Sequence, residues 1–288
     1  MANYDNSRYS YADVLGGSGY FMKDDSLTYS GGVKTMQGKL NQAGFWCGTP
    51  DGKFGAGTDE AVRHFQRAYS LTVDGKAGKG TLEKLEQVLL SSPGFEKTSG
   101  TYGVYFDNTN KRFMHNQQIV YNHLRNANLG KKAVAAFMGN IEAESEFSTA
   151  WDGTGGSVGL CQWLKGRLLN LQAYAVAIGE DKTSIQTQAK FIVEECKSGG
   201  AYRDSQAVSC YNTLKNDSSV ANDLSLATDH ITARYERCLS FSSKSAAVAA
   251  GYDGARFEKN AYDLNYYIDT PKRRGYAAAY YACMTDMP

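Results

Sequence analysis

An eight-residue sequence rich in glycine occurs twice near the start of the chain. The copies are Asp51-Gly-Lys-Phe-Gly-Ala-Gly-Thr58 and Asp74-Gly-Lys-Ala-Gly-Lys-Gly-Thr81. An Asp-Gly turn followed by two more glycines indicates left-handed backbone positions and close packing of the chain. Each copy ends in a threonine suited to cap a helix, and acidic residues follow, as the first turn of a helix favours. The repeat therefore predicts two similar helices, each preceded by a tight loop.

Apolar residues recur at helical spacing around these two loops. Such spacing is typical of a helix that buries one face. The residues are Val33, Met36 and Leu40 before the first loop, Val62, Phe65 and Tyr69 between the loops, and Leu82, Leu85 and Leu89 after the second. Residues 33–90 are therefore predicted to form three short helices joined by glycine-rich loops.

The composition is that of an ordinary globular protein. Of the 288 residues, 42% are hydrophobic and 21% charged, which excludes wholesale disorder and, at this length, favours two domains. The net charge of +1 argues against a dedicated nucleic-acid-binding protein, whose affinity needs a basic excess. No apolar stretch approaches the roughly 18 residues that a membrane span needs. The first residues contain no apolar run, so we expect no signal peptide and synthesis in a cytoplasm.

The chain divides into four predicted parts. Residues 1–32, rich in Gly, Ser and Tyr, predict an arm or packed extension to which we assign no function. Residues 33–92 predict the three-helix domain, residues 93–114 a linker with some extended character, and residues 115–288 a larger helical domain. The predicted fold class is therefore mainly α. Within the larger domain, apolar periodicity after the first two helices lies near residues 168–178, 185–196, 219–239 and 276–283.

Three carboxylates lie close together at the end of a predicted helix over Lys131–Glu146. The buried stripe of this helix passes through Phe137 and Ile141, and Glu144 lies beside it at helical spacing. Glu142 lies at the opposite border of the stripe. Partial burial disfavours the charged form of a carboxylate and raises its pKa toward the range of a general acid. An ordinary solvated acidic helix end is the alternative interpretation.

A glycine-rich segment, Trp151–Trp163, follows this helix. It contains no Gly-Lys-Ser/Thr sequence, so it is not predicted to bind phosphate. Glycines around Gln162, together with Trp163, indicate a groove in which the backbone approaches a polar polymer, although a tight loop with its tryptophans in the core explains the same residues. Asp152 is the candidate for a second carboxylate. Ser145 is counted with Gln162 and Trp163 as a candidate substrate-binding residue, and it is predicted either to hydrogen-bond near the acid or to cap the helix end.

The repeat and its flanking sequences resemble the three-helix peptidoglycan-binding domain family. This resemblance implies a domain that holds bacterial peptidoglycan. It rests on Val33–Gln37, Leu40–Phe45, Asp51–Gly55, Gly57-Thr58, Ala61–Gln66, Leu71–Gly75 and Gly80-Thr81.

The larger helical part is similar to the phage tail-type lysozyme family, within the goose-type lysozyme and lytic transglycosylase group. In that family the glutamate before a serine is the catalytic acid, which implies this role for Glu144. The family's Gly-Leu-x-Gln segment lines the sugar groove, which implies that Gln162 contacts the glycan. The similarity spans roughly residues 115–285 and rests on Gly139–Ser145, Gly159–Trp163, Gly166–Leu168, Tyr235–Arg237, Arg273–Tyr276 and Tyr280-Tyr281.

Together the two resemblances imply a muralytic glycosidase similar to a phage endolysin. Such an enzyme cleaves the bond between N-acetylmuramic acid and N-acetylglucosamine without a cofactor. It is made in the host cytoplasm and acts at the cell wall, with peptidoglycan as its partner. Two alternatives remain open: a lytic transglycosylase, which uses the 6-hydroxyl of the sugar instead of a second acid, and a noncatalytic wall-binding protein.

Two other classes of wall enzyme are disfavoured by the sequence. A zinc peptidase needs clustered ligands, and the four histidines are scattered without an H-E-x-x-H pattern, so we expect no metal site. A Cys–His amidase would need Cys161 as its nucleophile with a distant histidine such as His230. No two of the six cysteines form a C-x-x-C pair, and most are interpreted as small buried residues.

Overall fold

The computed structural model describes residues 4–91, 94–149, 156–238, 240–285 and 287. The chain divides into an N-terminal unit, formed by the residues up to 97 with 105–116, and a C-terminal unit, formed by residues 98–104 with those from 117 onward. Both units consist mainly of α-helices, which confirms the predicted fold class. Among the described residues, no helix is long and apolar enough to cross a bilayer.

Three helices of the N-terminal unit correspond to the three predicted from apolar spacing. After a short helix α1 (Tyr11–Leu15), they are α2 (Gly31–Gln42), α3 (Ala56–Ala68) and α4 (Lys79–Ser91). The predicted apolar residues are buried in the core that these helices share, except Tyr69 and Leu89, which pack at its edge.

The segment before these helices contributes to the same core. Val14 and Phe21 are completely buried among its apolar side chains. β1 (Tyr20–Phe21) also pairs antiparallel with β2 (Ala77–Gly78), which immediately precedes α4. Residues upstream of position 33 therefore take part in folding this unit.

Two buried glutamines, Gln37 on α2 and Gln66 on α3, hold the repeated loops in the same way. The side-chain nitrogen of each lies within hydrogen-bonding distance of an aspartate carboxylate, a lysine carbonyl and a threonine hydroxyl. The side-chain oxygen accepts from a glycine N–H. In that order the partners are Asp51, Lys53, Thr58 and Gly52 for Gln37, and Asp74, Lys76, Thr81 and Gly75 for Gln66.

The prediction that the two repeat threonines cap the helices is wrong. Gly55 is the N-cap of α3, and Thr58 already lies in the first turn of that helix. α4 likewise begins before Thr81. The threonine hydroxyls are instead engaged by the side chains of the two glutamines, which lie far away in the sequence.

Residues 96–113 form a small antiparallel sheet within the predicted linker. β3 (Glu96–Lys97) pairs with β4 (Tyr105–Asp107), which pairs in turn with β5 (Arg112–Phe113). Phe106 and Phe113 are buried with their ring centroids 5.2 Å apart. The extended character expected for this stretch is therefore present as paired strands.

From His115 onward the chain is largely helical, with a second three-stranded antiparallel sheet. The strands are β6 (Ser240–Phe241), β7 (Phe257–Lys259) and β8 (Tyr266–Ile268), with β8 in the centre. The helices are α5 (His115–Asn126), α6 (Lys131–Ser145), α7 (Lys165–Ile178), α8 (Ile185–Glu195), α9 (Ser205–Asn216), α10 (Ser218–Ala221), α11 (Leu224–Ile231), α12 (Lys244–Ala249) and α13 (Thr270–Met284).

The central helix of the C-terminal unit is α6. All of its residues from Ala133 to Ile141 are buried, and both α11 and α13 pack against it. A Cβ atom at Gly139 would lie only 2.5 Å from the backbone nitrogen of Ala277, so glycine permits the close approach of α6 and α13. This packing brings α13 side chains to the end of α6.

Candidate active site

Glu144 lies in the last turn of α6. The helix ends at Ser145 because Glu146 adopts a left-handed conformation, with φ of 51°. The side chain of Glu144 is 20% exposed, which agrees with the partial burial expected from its spacing. The other two carboxylates are placed differently, since Glu142 accepts a hydrogen bond from the Tyr280 hydroxyl at 2.6 Å and Glu146 is exposed.

A buried arginine from α13 binds Glu144. Arg273 donates from Nη2 to Oε1 of Glu144 at 2.6 Å and from Nη1 to Oδ1 of Asn140 at 3.1 Å. Asn140 is completely buried and is itself fixed by bonds to the Ala136 and Thr228 carbonyls. The guanidinium is thus fixed by Asn140 while it donates to Glu144, and the bond to Glu144 is charge-assisted.

Ser145 joins the end of α6 to the glycine-rich loop. Its hydroxyl donates to the Leu160 carbonyl at 2.8 Å and to the Ile141 carbonyl at 3.3 Å. The Leu160 amide donates in turn to Oε1 of Gln188 on α8. Ser145 therefore holds the loop beside the proposed acid, and both of these hydrogen bonds go to backbone carbonyls, so a contact between Ser145 and substrate stays a prediction.

Gln162 lies in a tight turn of this loop. Val158 and Trp163 form an antiparallel bridge across it, and Gln162 has a φ of 46°, an uncommon value for a residue with a side chain. Its side-chain nitrogen donates to the Gly159 carbonyl at 3.0 Å, and its oxygen accepts from Ser157 at 2.9 Å. The side chain is half-buried, so the loop orders Gln162 while leaving part of it open to a ligand.

Trp163 differs from its predicted role in the groove. Its side chain is completely buried, and its indole N–H donates to Oε1 of Glu195 at 3.0 Å. Glu195 also pairs with Arg167 at 2.7 Å and accepts from the Tyr235 hydroxyl. A buried indole offers no face to a glycan, so we assign Trp163 to the core beneath the loop. Asp152, the candidate second carboxylate, lies outside the described residues.

A carboxylate not singled out from the sequence, Glu236, lies in the same region. It ends a π-helical turn, Thr232–Glu236, a rare conformation that is often found at functional sites. Both of its carboxylate oxygens are buried without a hydrogen-bond partner among the described residues. Burial and the negative charge of Glu144 raise the pKa of Glu236 to about 8, against the opposing influence of Arg167 and Arg273.

The residues required by the rival enzyme classes are arranged unfavourably. Cys161 is buried, and burial raises the pKa of its thiol well above its usual range, which makes it a poor nucleophile. His230 is also buried, and burial lowers its pKa to about 4. Among the described residues, no three His, Cys, Asp or Glu side chains are placed to hold a metal ion.

Three residues of this site were not identified as functional from the sequence: Asn140, Arg273 and Glu236. All three lie within segments that carry the lysozyme resemblance, so the sequence did mark these positions through that resemblance. What local spacing does not reveal is that positions 129 residues apart, Glu144 and Arg273, form an ion pair.

Comparisons with known proteins confirm both resemblances. A family described as phage tail lysozyme matches residues 115–284, and one described as putative peptidoglycan binding domain matches residues 29–85. A spore cortex-lytic enzyme of Bacillus cereus is 38% identical over 71 residues, which cover 25% of this chain and 26% of the relative. The N-acetylmuramoyl-L-alanine amidase CwlM of Mycobacterium tuberculosis is 42% identical over 57 residues, which cover 20% of this chain and 14% of that protein. The chain thus spans about a quarter or less of the length of these curated relatives.

Proposed function

The chain belongs to the phage tail lysozyme family, and from this membership we propose that it is a peptidoglycan-degrading glycosidase. We propose further that it is an N-acetylmuramidase of the endolysin type, with Glu144 as its general acid. The observation that carries this proposal is the end of α6, where a partly exposed carboxylate is held by buried Arg273 beside the loop that carries Gln162.

Cleavage of a glycosidic bond requires a carboxylic acid that protonates the leaving oxygen. Glu144 is open enough to reach a glycan and is fixed by partners on the protein side. Gln162 lies on the loop that Ser145 ties to the same helix end, so both are held against one surface. In this proposal Gln162 orients the sugar while Glu144 supplies the proton.

Asp152 stays our proposal for a second carboxylate in the hydrolytic reaction. An inverting hydrolase needs two carboxyl groups roughly 6.5–9.5 Å apart, with a water between them. The transglycosylase alternative needs no second acid, because the 6-hydroxyl of the sugar attacks in place of water. The two routes give different products, reducing ends from hydrolysis and anhydromuramic ends from transglycosylation.

The N-terminal unit has a separate role in this proposal. Its match to a peptidoglycan-binding family supports the idea that it holds the cell wall while the C-terminal unit acts on the glycan. Binding of this kind raises the local concentration of enzyme at an insoluble substrate without altering the chemical step.

The test is to substitute Glu144→Gln in the full chain and digest purified peptidoglycan. Loss of the general acid should lower the rate by at least about 100-fold, while wall binding and thermal stability change little. Glu146→Gln is the matched control, because it removes one charge from the same helix end at an exposed position. Mass spectrometry of the products identifies the cleaved bond. Release of peptides without glycan cleavage, or an active Glu144→Gln enzyme, would refute the proposal.

A further inference from the structure

We propose that Glu236 is a positioning residue that shares with Glu144 the single proton that glycan cleavage consumes. This inference rests on the proposed function and deepens it. Glu144 delivers the proton to the substrate, and Glu236 acts through Glu144 by keeping that proton in the site.

The backbone after the π-helical turn brings this segment against Glu144. Arg237 takes a left-handed conformation, with φ of 56°, and its amide and that of Cys238 both donate to the Thr232 carbonyl. The chain therefore reverses immediately after Glu236. The Cys238 thiol, two residues further on, donates to Oε1 of Glu144 at 3.4 Å. Glu236 thus lies on a hydrogen-bonded turn of the segment that contacts the proposed acid.

Among the described residues, the charged groups around Glu236 come from four helices and leave one negative charge uncompensated. They are Glu144 on α6, Arg167 on α7, Glu195 on α8 and Arg273 on α13. With Glu236 included, three carboxyl groups face two guanidinium groups. The titratable neighbours in the described part of the chain also include the thiols of Cys161, Cys210 and Cys238, which burial keeps protonated.

The hydrogen bonds show which of the three carboxyl groups has no donor to stabilise a negative charge. Glu195 accepts from Arg167, from the Trp163 indole and from the Tyr235 hydroxyl, so its charge is fully solvated by the protein. Glu144 accepts from Arg273. Glu236 has no partner for either oxygen among the described residues, although both oxygens are buried.

An ionised carboxylate in that setting is costly, so the protein binds a proton at Glu236 instead. The raised pKa of this residue, about 8, agrees with the geometry.

Glu144 and Glu236 together supply one proton to the reaction and recover one proton by its end. In the resting site the pair holds its one proton at Glu236, and Glu144 accepts a hydrogen bond from Arg273. When a glycan binds, the shared proton moves to Glu144 and then to the leaving oxygen as the glycosidic bond breaks. The attacking hydroxyl, from water or from the sugar, loses a proton as it bonds to the anomeric carbon. That proton returns to the pair, so each turnover begins and ends with one proton on two carboxylates.

The first test compares pH–rate profiles on soluble glycan oligomers for the wild type, Glu236→Gln, Glu236→Asp and the control Glu146→Gln. Without Glu236, the carboxyl group whose pKa burial raises is missing, so we expect the site to hold its proton only over a more acidic range. For Glu236→Gln we expect kcat/KM to fall more than about tenfold at pH 8 but to stay within about threefold of wild type at pH 5. Glu236→Asp should restore much of the alkaline activity. An unchanged profile, or an equal loss at every pH, would overturn the proposal.

The second test does not depend on activity. Glu236 is titrated by carboxyl NMR in the full chain, in the wild type and in Glu144→Gln. Because a negative charge is removed, Glu236 should ionise at lower pH in that variant than in the wild type and in Glu146→Gln. Identical titrations in all three would overturn proton sharing even if Glu144→Gln is inactive. Conversely, a coupled titration in a protein that cleaves no glycan would refute the proposed function alone.

Discussion

Glu144 and Glu195 each pair with an arginine, whereas Glu236, the third acid near them, has no hydrogen-bond partner in the part of the chain that the structure describes. A buried carboxylate without a partner generally destabilises a fold, because no hydrogen bonds offset the free-energy cost of its desolvation. Proteins accept such a cost most often where a shifted pKa serves catalysis. The cost is also measurable as a dependence of stability on pH.

The Glu236 residue should make the protein less stable as the pH rises. Its pKa in the folded state, about 8, exceeds that of an unfolded glutamate, so between these values the folded state binds more protons than the unfolded state. The contribution of Glu236 to the free energy of unfolding is therefore fully present below about pH 4. It declines as the pH rises from there and is lost near pH 8. We expect the melting temperature of Glu236→Gln to fall less than that of the wild type between pH 5 and 8. Parallel curves for the two proteins would contradict this expectation, and Glu146→Gln should follow the wild type.

Single elements were predicted well wherever one buried face determines the structure. The spacing of Val33, Met36 and Leu40 locates α2, and the stripe through Phe137 and Ile141 locates α6 to within one residue of its end. Periodicity also gave the orientation of Glu144, because neighbouring positions on a helix are fixed by its pitch.

Contacts between distant elements were not predictable from the same patterns. The threonines Thr58 and Thr81 looked like helix caps because their local sequence permits it, but glutamines on preceding helices engage their hydroxyls. The strands β6–β8 are only two or three residues long, too short to show alternation. The contact of Arg273 with Glu144 depends on how α13 packs against α6, which periodicity does not encode.

The repeated loops lead to a prediction at the scale of these elements. Gln66 is buried and joins α3 to the second loop through its contacts with Asp74, Lys76 and Gly75. Gln66→Met keeps the length of the side chain but leaves these groups unpaired, which should cost about 1–3 kcal/mol.

Hydrogen exchange over residues 70–81 should therefore accelerate in Gln66→Met, while Gln42→Met, at an exposed position of α2, should leave exchange unchanged. Equal protection of the loop in both variants would show that the glutamine contributes little.

At the scale of the whole molecule, each of the two units has its own buried side chains. The N-terminal unit draws its core from more of the chain than the three predicted helices. Val14 and Phe21 enter it from upstream, and residues 105–116 belong to it from downstream. We propose that wall binding depends on this larger unit.

Truncation tests this proposal directly. A fragment of residues 1–116 should sediment with purified cell walls and melt cooperatively. A fragment of residues 33–92 lacks Val14 and Phe21, and loss of each large buried side chain typically costs a few kcal/mol, so we expect it to be largely unfolded. Equal thermal stability of the two fragments would show that the upstream segment is dispensable. Residues 98–288, which include all of the C-terminal unit, should retain cleavage of soluble glycan but lose efficiency on intact walls.

If Glu144 is the general acid, as we propose, its ion pair with Arg273 also sets when activity can arise during synthesis. The two residues are 129 positions apart, and the second lies on α13. A nascent chain emerges from the ribosome amino end first, and its N-terminal unit folds before the rest is made. Wall binding would thus be acquired early. The proposed acid can form its ion pair only after translation has passed residue 273. In the proposed function, a copy terminated before residue 273 would hold the wall without cutting it.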